Sequence, residues 1–246
     1  VRRVLFAKFA MGLFEDPYGK TFKNRKRHSP ESVKLAKTIA DESTVLLKNE
    51  NQLLPLDTKS LKSIAIIGPN ADQVQFGDYT WSRNNKDGVT PLQGIKNRVN
   101  KNTAIHYAKG CSLTSLDTSG IAEAVEAAKN SEVAVIFGGS ASAALARDYK
   151  SSTCGEGFDL NDLNLTGAQS QLIREVYRTG TPVILVLVTG KPFVIEWEKN
   201  NLPAILVQWY AGEQAGNSIA DILFGKVVPS GRLTFSFPRS TGHLPV

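Results

Sequence analysis

The residues best placed by type and spacing to do chemistry form one stretch, Ser151-Ser152-Thr153-Cys154-Gly155-Glu156-Gly157-Phe158-Asp159-Leu160. Glu156 stands between two glycines, which free the backbone to bring a carboxylate up to a ligand, and an aromatic ring follows. A carboxyl group whose pKa is raised by burial serves as a general acid near neutral pH. Asp148, Asp159 and Asp162 are its candidate carboxylate neighbours. The plainer reading is a solvated acid on a surface turn. Asp162 and Thr166 precede a helical pattern and read as ordinary caps. Glu213 reads as a carboxylate stabilised by the helix N-terminus it opens. Cys154 lies two residues from Glu156, and a nearby carboxylate disfavours the thiolate that a nucleophile needs. There is no G-x-S-x-G elbow and no H-E-x-x-H pair.

A second stretch, Gly68-Pro69-Asn70-Ala71-Asp72 followed by Phe76-Gly77-Asp78-Tyr79-Thr80-Trp81-Ser82, carries aromatics beside amides and hydroxyls. It lacks the lysine and glycine spacing of a P-loop and the G-x-G-x-x-G of a dinucleotide site, so phosphate and NAD binding are not supported. Tyr79 and Trp81, with Asn84 and Asn85 close by, offer flat apolar faces edged by hydrogen-bonding groups. Such faces suit sugars, and equally an interface with another domain.

Both stretches need a frame. Ser63–Gly68, Val133–Gly138 and Pro182–Val188 are continuous apolar runs, as expected of strands covered on both faces. Ala104–Ala108 and Ala204–Gln208 read as two more. Helical patterns alternate with them, at Thr90–Val99, Ile121–Ala128, Gly167–Arg178 and Glu213–Phe224. Ser29-Pro30 opens a further helix, and Leu35, Ile39, Val45 and Leu46 extend its apolar stripe to about Asn49. Arg232–Phe237 reads as a last edge strand. The expected class is α/β: a mostly parallel sheet of five or six strands sandwiched between helices on both faces. Ligands gather at the carboxyl ends of such strands. That picks out the loops at 68–87, 139–162, 189–191 and 209–213.

Composition narrows the partners. The chain has 246 residues, a net charge of +6, two cysteines (Cys111, Cys154) and three histidines (His28, His106, His243). Much of the excess charge sits in Lys20–His28, which reads as a solvated basic linker rather than a nucleic-acid patch, since only Phe22 accompanies it for stacking. So few cysteines and histidines make no zinc framework; two free thiols and one disulfide both remain open. No apolar run approaches the roughly 18 residues that span a bilayer. The start, Val1-Arg2-Arg3-Val4-Leu5-Phe6, lacks an initiator Met and a signal-peptide layout, and the chain is expected to be a piece of something longer.

Several stretches taken together resemble the second domain of glycoside hydrolase family 3, the β-glucosidases and β-xylosidases. They are Val45-Leu46-Leu47-Lys48-Asn49 with Leu53-Leu54-Pro55-Leu56, Ile64-Ala65-Ile66-Ile67-Gly68-Pro69-Asn70-Ala71, Cys154-Gly155-Glu156-Gly157-Phe158-Asp159, Gln208-Trp209-Tyr210-Ala211-Gly212-Glu213-Gln214-Ala215-Gly216-Asn217, and Pro229-Ser230-Gly231-Arg232-Leu233 with Ser236-Phe237-Pro238. The resemblance implies residues 29–246 as the α/β sandwich domain and residues 1–28 as the end and linker of an upstream barrel domain. It implies Glu156 as the general acid/base of a retaining exo-acting enzyme on β-glucosides or oligosaccharides. The nucleophilic Asp would come from the barrel, absent here, so that the chain alone has no complete mechanism. Tyr79 and Trp81 match aromatics on the aglycone side. No metal or organic cofactor, nucleic acid or membrane is implied, and the family points to a periplasmic or secreted protein. Leu160 departs from the pattern, where many members carry Arg. The alternative function is a non-catalytic carbohydrate-binding or interdomain module on the same fold.

Overall fold

The computed structural model describes residues 1–18, 28–80, 82, 84–142, 153–156 and 162–243. Lys20–Arg27, Trp81, Asp148, Gly157, Phe158, Asp159 and Leu160 lie outside the described residues. The chain divides into two compact units, Val1–Lys34 and Leu35–Val246.

In the first unit, helix α1 (Arg2–Ala10) buries none of its residues. Ser29 caps the start of α2 (Pro30–Ser43), its Oγ accepting from the Ser32 amide at 3.3 Å; from Leu35 onward α2 belongs to the second unit.

The second unit carries a six-stranded sheet among the described residues: β1 (Val45–Asn49), β2 (Ser63–Ile67), β3 (Ala104–Ala108), β4 (Val133–Gly139), β5 (Val183–Val188) and β6 (Ala204–Val207). The order is β1-β6-β5-β4-β2-β3, parallel throughout except for β1, which runs antiparallel along β6. Every residue of β4, β5 and β6 is buried. That burial explains why these segments are unbroken apolar runs rather than alternating ones.

Side chains of successive strand residues go to opposite faces. On one face Ala65, Ile67, Ala134, Ile136, Leu185 and Ile205 pack with Ile121 and Ala124 of α4 (Ile121–Lys129) and Leu172, Ile173 and Val176 of α5 (Gln169–Tyr177). On the other, Ile64, Ile66, Val135, Phe137, Val186 and Leu206 pack with Leu92 and Ile95 of α3 (Pro91–Arg98) and Ile219, Ile222 and Leu223 of α7 (Ala215–Leu223). A short α6 (Glu196–Asn201) precedes β6. The expected class, helices over both faces of a mostly parallel sheet, is the observed one.

Two boundaries differ from the sequence expectation. The apolar stripe through Val45 and Leu46 belongs to strand β1, not to α2. Thr44 Oγ1 turns back onto the Ala40 carbonyl at 3.0 Å as the helix ends, and β-branched Thr44 and Val45 then run on as strand. The edge beside β6 is thereby taken, and Arg232–Phe237 forms no strand.

Helices α3 and α7 approach closely because each presents a glycine. A Cβ on Gly94 would lie 2.0 Å from the Gly216 carbonyl oxygen, and one on Gly216 would lie 2.0 Å from that of Thr90. Thr90 caps α3 by accepting from the Gln93 amide, with Pro91 at the first helical position. The preceding loop is stitched to the α7 approach by Val89 N–H to Glu213 O and Gly216 N–H to Val89 O, both 2.8 Å. Asp221 on α7 pairs with Lys37 at 3.0 Å, Arg98 at 3.5 Å and Lys226 at 3.7 Å, tying α2 and α3 to α7.

Candidate active site

The strand order defines one crevice. From β2 the chain moves outward to β3, and from β4 it moves the opposite way to β5, while β2 and β4 lie side by side. Open sheets bind ligands where the order reverses like this, beyond the carboxyl ends of the strands. The loops after β2 and after β4 flank that crevice, and they are the two long ones.

The loop after β2 is fixed through Asn70, which is fully buried. Its backbone N–H donates to Phe137 O at 3.1 Å, its Nδ2 reaches Gly138 O and Ser140 O, and its Oδ1 accepts from Gln75 Nε2 at 2.8 Å. The end of β4 is clamped from its other side by buried Gln169, whose Oε1 accepts from Gly139 N and whose Nε2 donates to Gly139 O. An amide side chain thus meets both backbone polar groups of one buried residue, which would otherwise cost free energy.

The loop after β4 returns to its own base. Thr153 N–H donates to Ala141 O at 3.0 Å, Ala141 N–H donates to Thr153 Oγ1 at 3.1 Å, and Ser142 and Cys154 form a parallel bridge. Glu156 emerges two residues past that bridge. Its side chain is exposed, and its backbone N–H donates to Asp78 Oδ2 from the β2 loop at 3.3 Å. A carboxylate is therefore presented from one wall of the crevice, its main chain held by the other. Tyr79, next to Asp78, is 69% exposed at φ +56, a conformation uncommon for non-glycine residues. Trp81 is outside the described residues, so the structure brings together Glu156 and the Tyr79 segment only.

Tyr210, three residues beyond β6, gathers the site. Its hydroxyl lies 2.7 Å from Cys154 Sγ and 2.7 Å from Ser140 Oγ; Ser140 donates to Thr189 Oγ1 at 3.0 Å. Burial pushes the Tyr210 phenol well above its ordinary pKa, so it stays protonated. Sequence reasoning places Tyr210 in the 209–213 loop and in a family motif but gives it no role, because its partner Cys154 is remote in the chain. Lys191, after β5, buries its Nζ without a hydrogen-bond partner among the described residues, 4.6 Å over the Phe193 ring. Burial lowers its pKa, and the Cys154 and Asp162 charges oppose that.

Asp162 and Thr166 are structural, but as turn residues rather than helix caps. Asp162 Oδ1 accepts from Asn164 N at 2.9 Å, and Thr166 Oγ1 donates to Leu113 O at 2.6 Å, whereas α5 begins at Gln169. The hydrogen bonds from Asn164 lower the Asp162 pKa. Among the described residues no three His, Cys, Asp or Glu side chains cluster as metal ligands, and no helix is long and apolar enough to cross a membrane.

Both cysteines are free thiols. Buried Cys111 has its pKa raised from 9.0 to about 11 by desolvation. An unfolded chain ionises this thiol first, so its contribution to stability is complete below pH 9.0 and is lost as the pH climbs toward about 11. Solvent screening of the partly accessible sulfur holds the loss below about 2–3 kcal/mol. Cys111→Ala should flatten the alkaline fall of Tm over that interval, which thermal melts against pH would read.

The sequence model described as the glycosyl hydrolase family 3 C-terminal domain matches residues 44–246. A β-xylosidase of Formosa agariphila is 40% identical over 251 residues, covering 99% of this chain and 34% of that protein. A periplasmic β-glucosidase of Salmonella typhimurium is 38% identical over 277 residues, covering 100% of this chain and 34% of that protein. Among solved structures, a β-glucosidase of Erythrobacter marinus superposes with a TM-score of 0.83 at 34% identity, over 99% of this chain and 35% of that one. The chain spans about a third of the length of the relatives it matches.

Proposed function

Because the chain belongs to glycoside hydrolase family 3, as its C-terminal domain, we propose that it supplies the general acid/base of a retaining exo-acting β-glycosidase. Glu156 is that residue. The observation that supports it is placement: an exposed carboxylate on a loop with a fastened base, at the crevice where the strand order reverses. In the reaction Glu156 gives its proton to the glycosidic oxygen as a nucleophilic Asp from a preceding barrel domain attacks the anomeric carbon. The ionised Glu156 then takes a proton from water, and the resulting hydroxide equivalent releases the sugar from the glycosyl-enzyme. Retention requires the two carboxyl groups roughly 5–5.5 Å apart, so the site is assembled between two domains and this chain alone is inactive.

The substrate class is the terminal β-D-glycosyl residue, with β-glucosides first and β-xylosides as the competing arm. Tyr79 and Trp81 stack on the aglycone sugar. The protein is periplasmic or secreted, a reading supported by the periplasmic relative.

Chemical rescue tests the assignment. In the full-length protein, Glu156→Ala turning over an activated aryl glycoside in the presence of azide should release β-glycosyl azide, because the small anion enters the emptied position without base assistance. Free sugar alone, at an unchanged rate, would leave the chain as a binding or interdomain module. Running aryl β-glucoside and β-xyloside side by side decides the sugar.

A further inference from the structure

We propose that Tyr210 is the positioning residue that sets where Glu156 stands, an inference that rests on the acid/base reading above. Four loops at the carboxyl edge of the sheet meet at this one side chain. The β4 loop reaches it through Ser140 and Cys154, each 2.7 Å from its hydroxyl. The β5 loop reaches it through Thr189, which accepts from Ser140 at 3.0 Å and is itself fixed by donating to Lys191 O and accepting from Lys191 N. The β2 loop and the β5 loop also grip the ring. A Cβ on Gly77 would lie 3.4 Å from Tyr210 Cβ and Cδ2, and one on Gly190 would lie 2.9 Å from Cε2. The β6 loop is Tyr210's own, anchored through Gly212 N–H to Gln75 O at 3.2 Å and through the Glu213–Val89 bond.

Glu156 is tied to this post at both ends. Cys154, two residues before it, touches the Tyr210 hydroxyl. Asp78, which accepts from the Glu156 amide, follows Gly77, against which the Tyr210 ring packs. The ring without its hydroxyl would keep the packing and lose the hold on Cys154 and Ser140. Ser140 is fully buried and remains bonded to Thr189 at 3.0 Å, whereas Cys154 Sγ keeps only long contacts to Ser140 Oγ and Ala141 O, both 3.7 Å, so the loss falls on the Cys154 side and on the turn that carries the acid.

Displacing an acid by about an ångström lowers its contribution without abolishing it. In the full-length protein, Tyr210→Phe should reduce kcat/KM for a disaccharide or alkyl glycoside about ten- to a hundredfold. A 2,4-dinitrophenyl glycoside, whose leaving group needs no proton, should stay within about threefold of wild type. Cys154→Ala should show the same split, and Cys154→Ser, which restores a partner for the phenol, should recover most of it. Combining Tyr210→Phe with Cys154→Ala should add little, since both remove one contact. Equal losses on the two substrates, or wild-type values on both while Glu156→Ala has collapsed on the disaccharide, would overturn the proposal and leave the acid/base reading intact. An unaffected Glu156→Ala would remove the reading itself and this inference with it. If Tyr210→Phe does not fold, the Cys154→Ala and Cys154→Ser pair carries the same decision.

Discussion

Replacing Glu156 by Ala in the full-length protein should lower kcat/KM for a sugar or alkyl leaving group about a thousandfold. The expulsion of an alkoxide from carbon is slow unless a proton arrives as the bond breaks, and Glu156 is an exposed carboxylic acid on the β4 side of the crevice, whereas exposed Asp162 is engaged by Asn164. Activated aryl glycosides leave as stable anions, so their kcat/KM should fall much less. Their kcat should still drop, because water must now attack the glycosyl-enzyme without a base. The covalent intermediate then accumulates and KM falls with kcat. Stopped-assay kinetics on a leaving-group series read all of these together. A thousandfold loss shared equally by every leaving group would contradict the acid role.

The second large effect is on stability and comes from Gly216. Its Cα faces the Thr90 and Val89 carbonyl oxygens so closely that an added Cβ would sit 2.0 Å from one and 2.6 Å from the other. These obstacles are backbone, part of the turn that caps α3, and they cannot rotate away as a side chain would. Gly216→Val must therefore push α7 from α3 and open the layer that covers Ile64, Ile66 and Leu206. Overpacking of this kind costs about 3 kcal/mol or more. For a domain of this size that lowers Tm by about 6–12 °C. Gly242→Ala is the matched control: among the described residues nothing lies within 4 Å of its would-be Cβ, and its change should stay within about 0.5 kcal/mol. Differential scanning calorimetry of the two variants gives the comparison.

Much of this architecture is legible in the residues because burial on both faces leaves a plain mark. Ile64–Ile67, Val133–Gly139 and Val183–Val188 could not be amphipathic helices or solvated strands. Thr90-Pro91 and Ser29-Pro30 announce helix starts by chemistry that acts within a few residues. Val45–Asn49 is less legible, since its apolar side chains continue the helical spacing of Leu35 and Ile39, and only the pairing with β6 decides its conformation. Arg232–Phe237 errs the other way: it has strand composition, but the edge it needs is occupied. At the site, Glu156 stands out through its flanking glycines and family motif. Tyr210 does not, because its meaning lies in contacts with Gly77, Ser140, Cys154 and Gly190, which come from three other loops. Local chemistry can be read along the chain, whereas a convergence point cannot.

The paired base of the β4 loop has a consequence for how such a domain can diversify. Ala141 and Ser142 are bonded to Thr153 and Cys154, which closes a neck on either side of positions 143–152. Lengthening a segment between fixed ends costs little, about 0.6 kcal/mol for each doubling. The place of Glu156, set beyond the neck, is insulated from the length and composition of what precedes it. On the acid/base proposal, an insertion between positions 142 and 153 leaves the acid where it was, so that the length of this loop and the chemistry are free to evolve at separate rates.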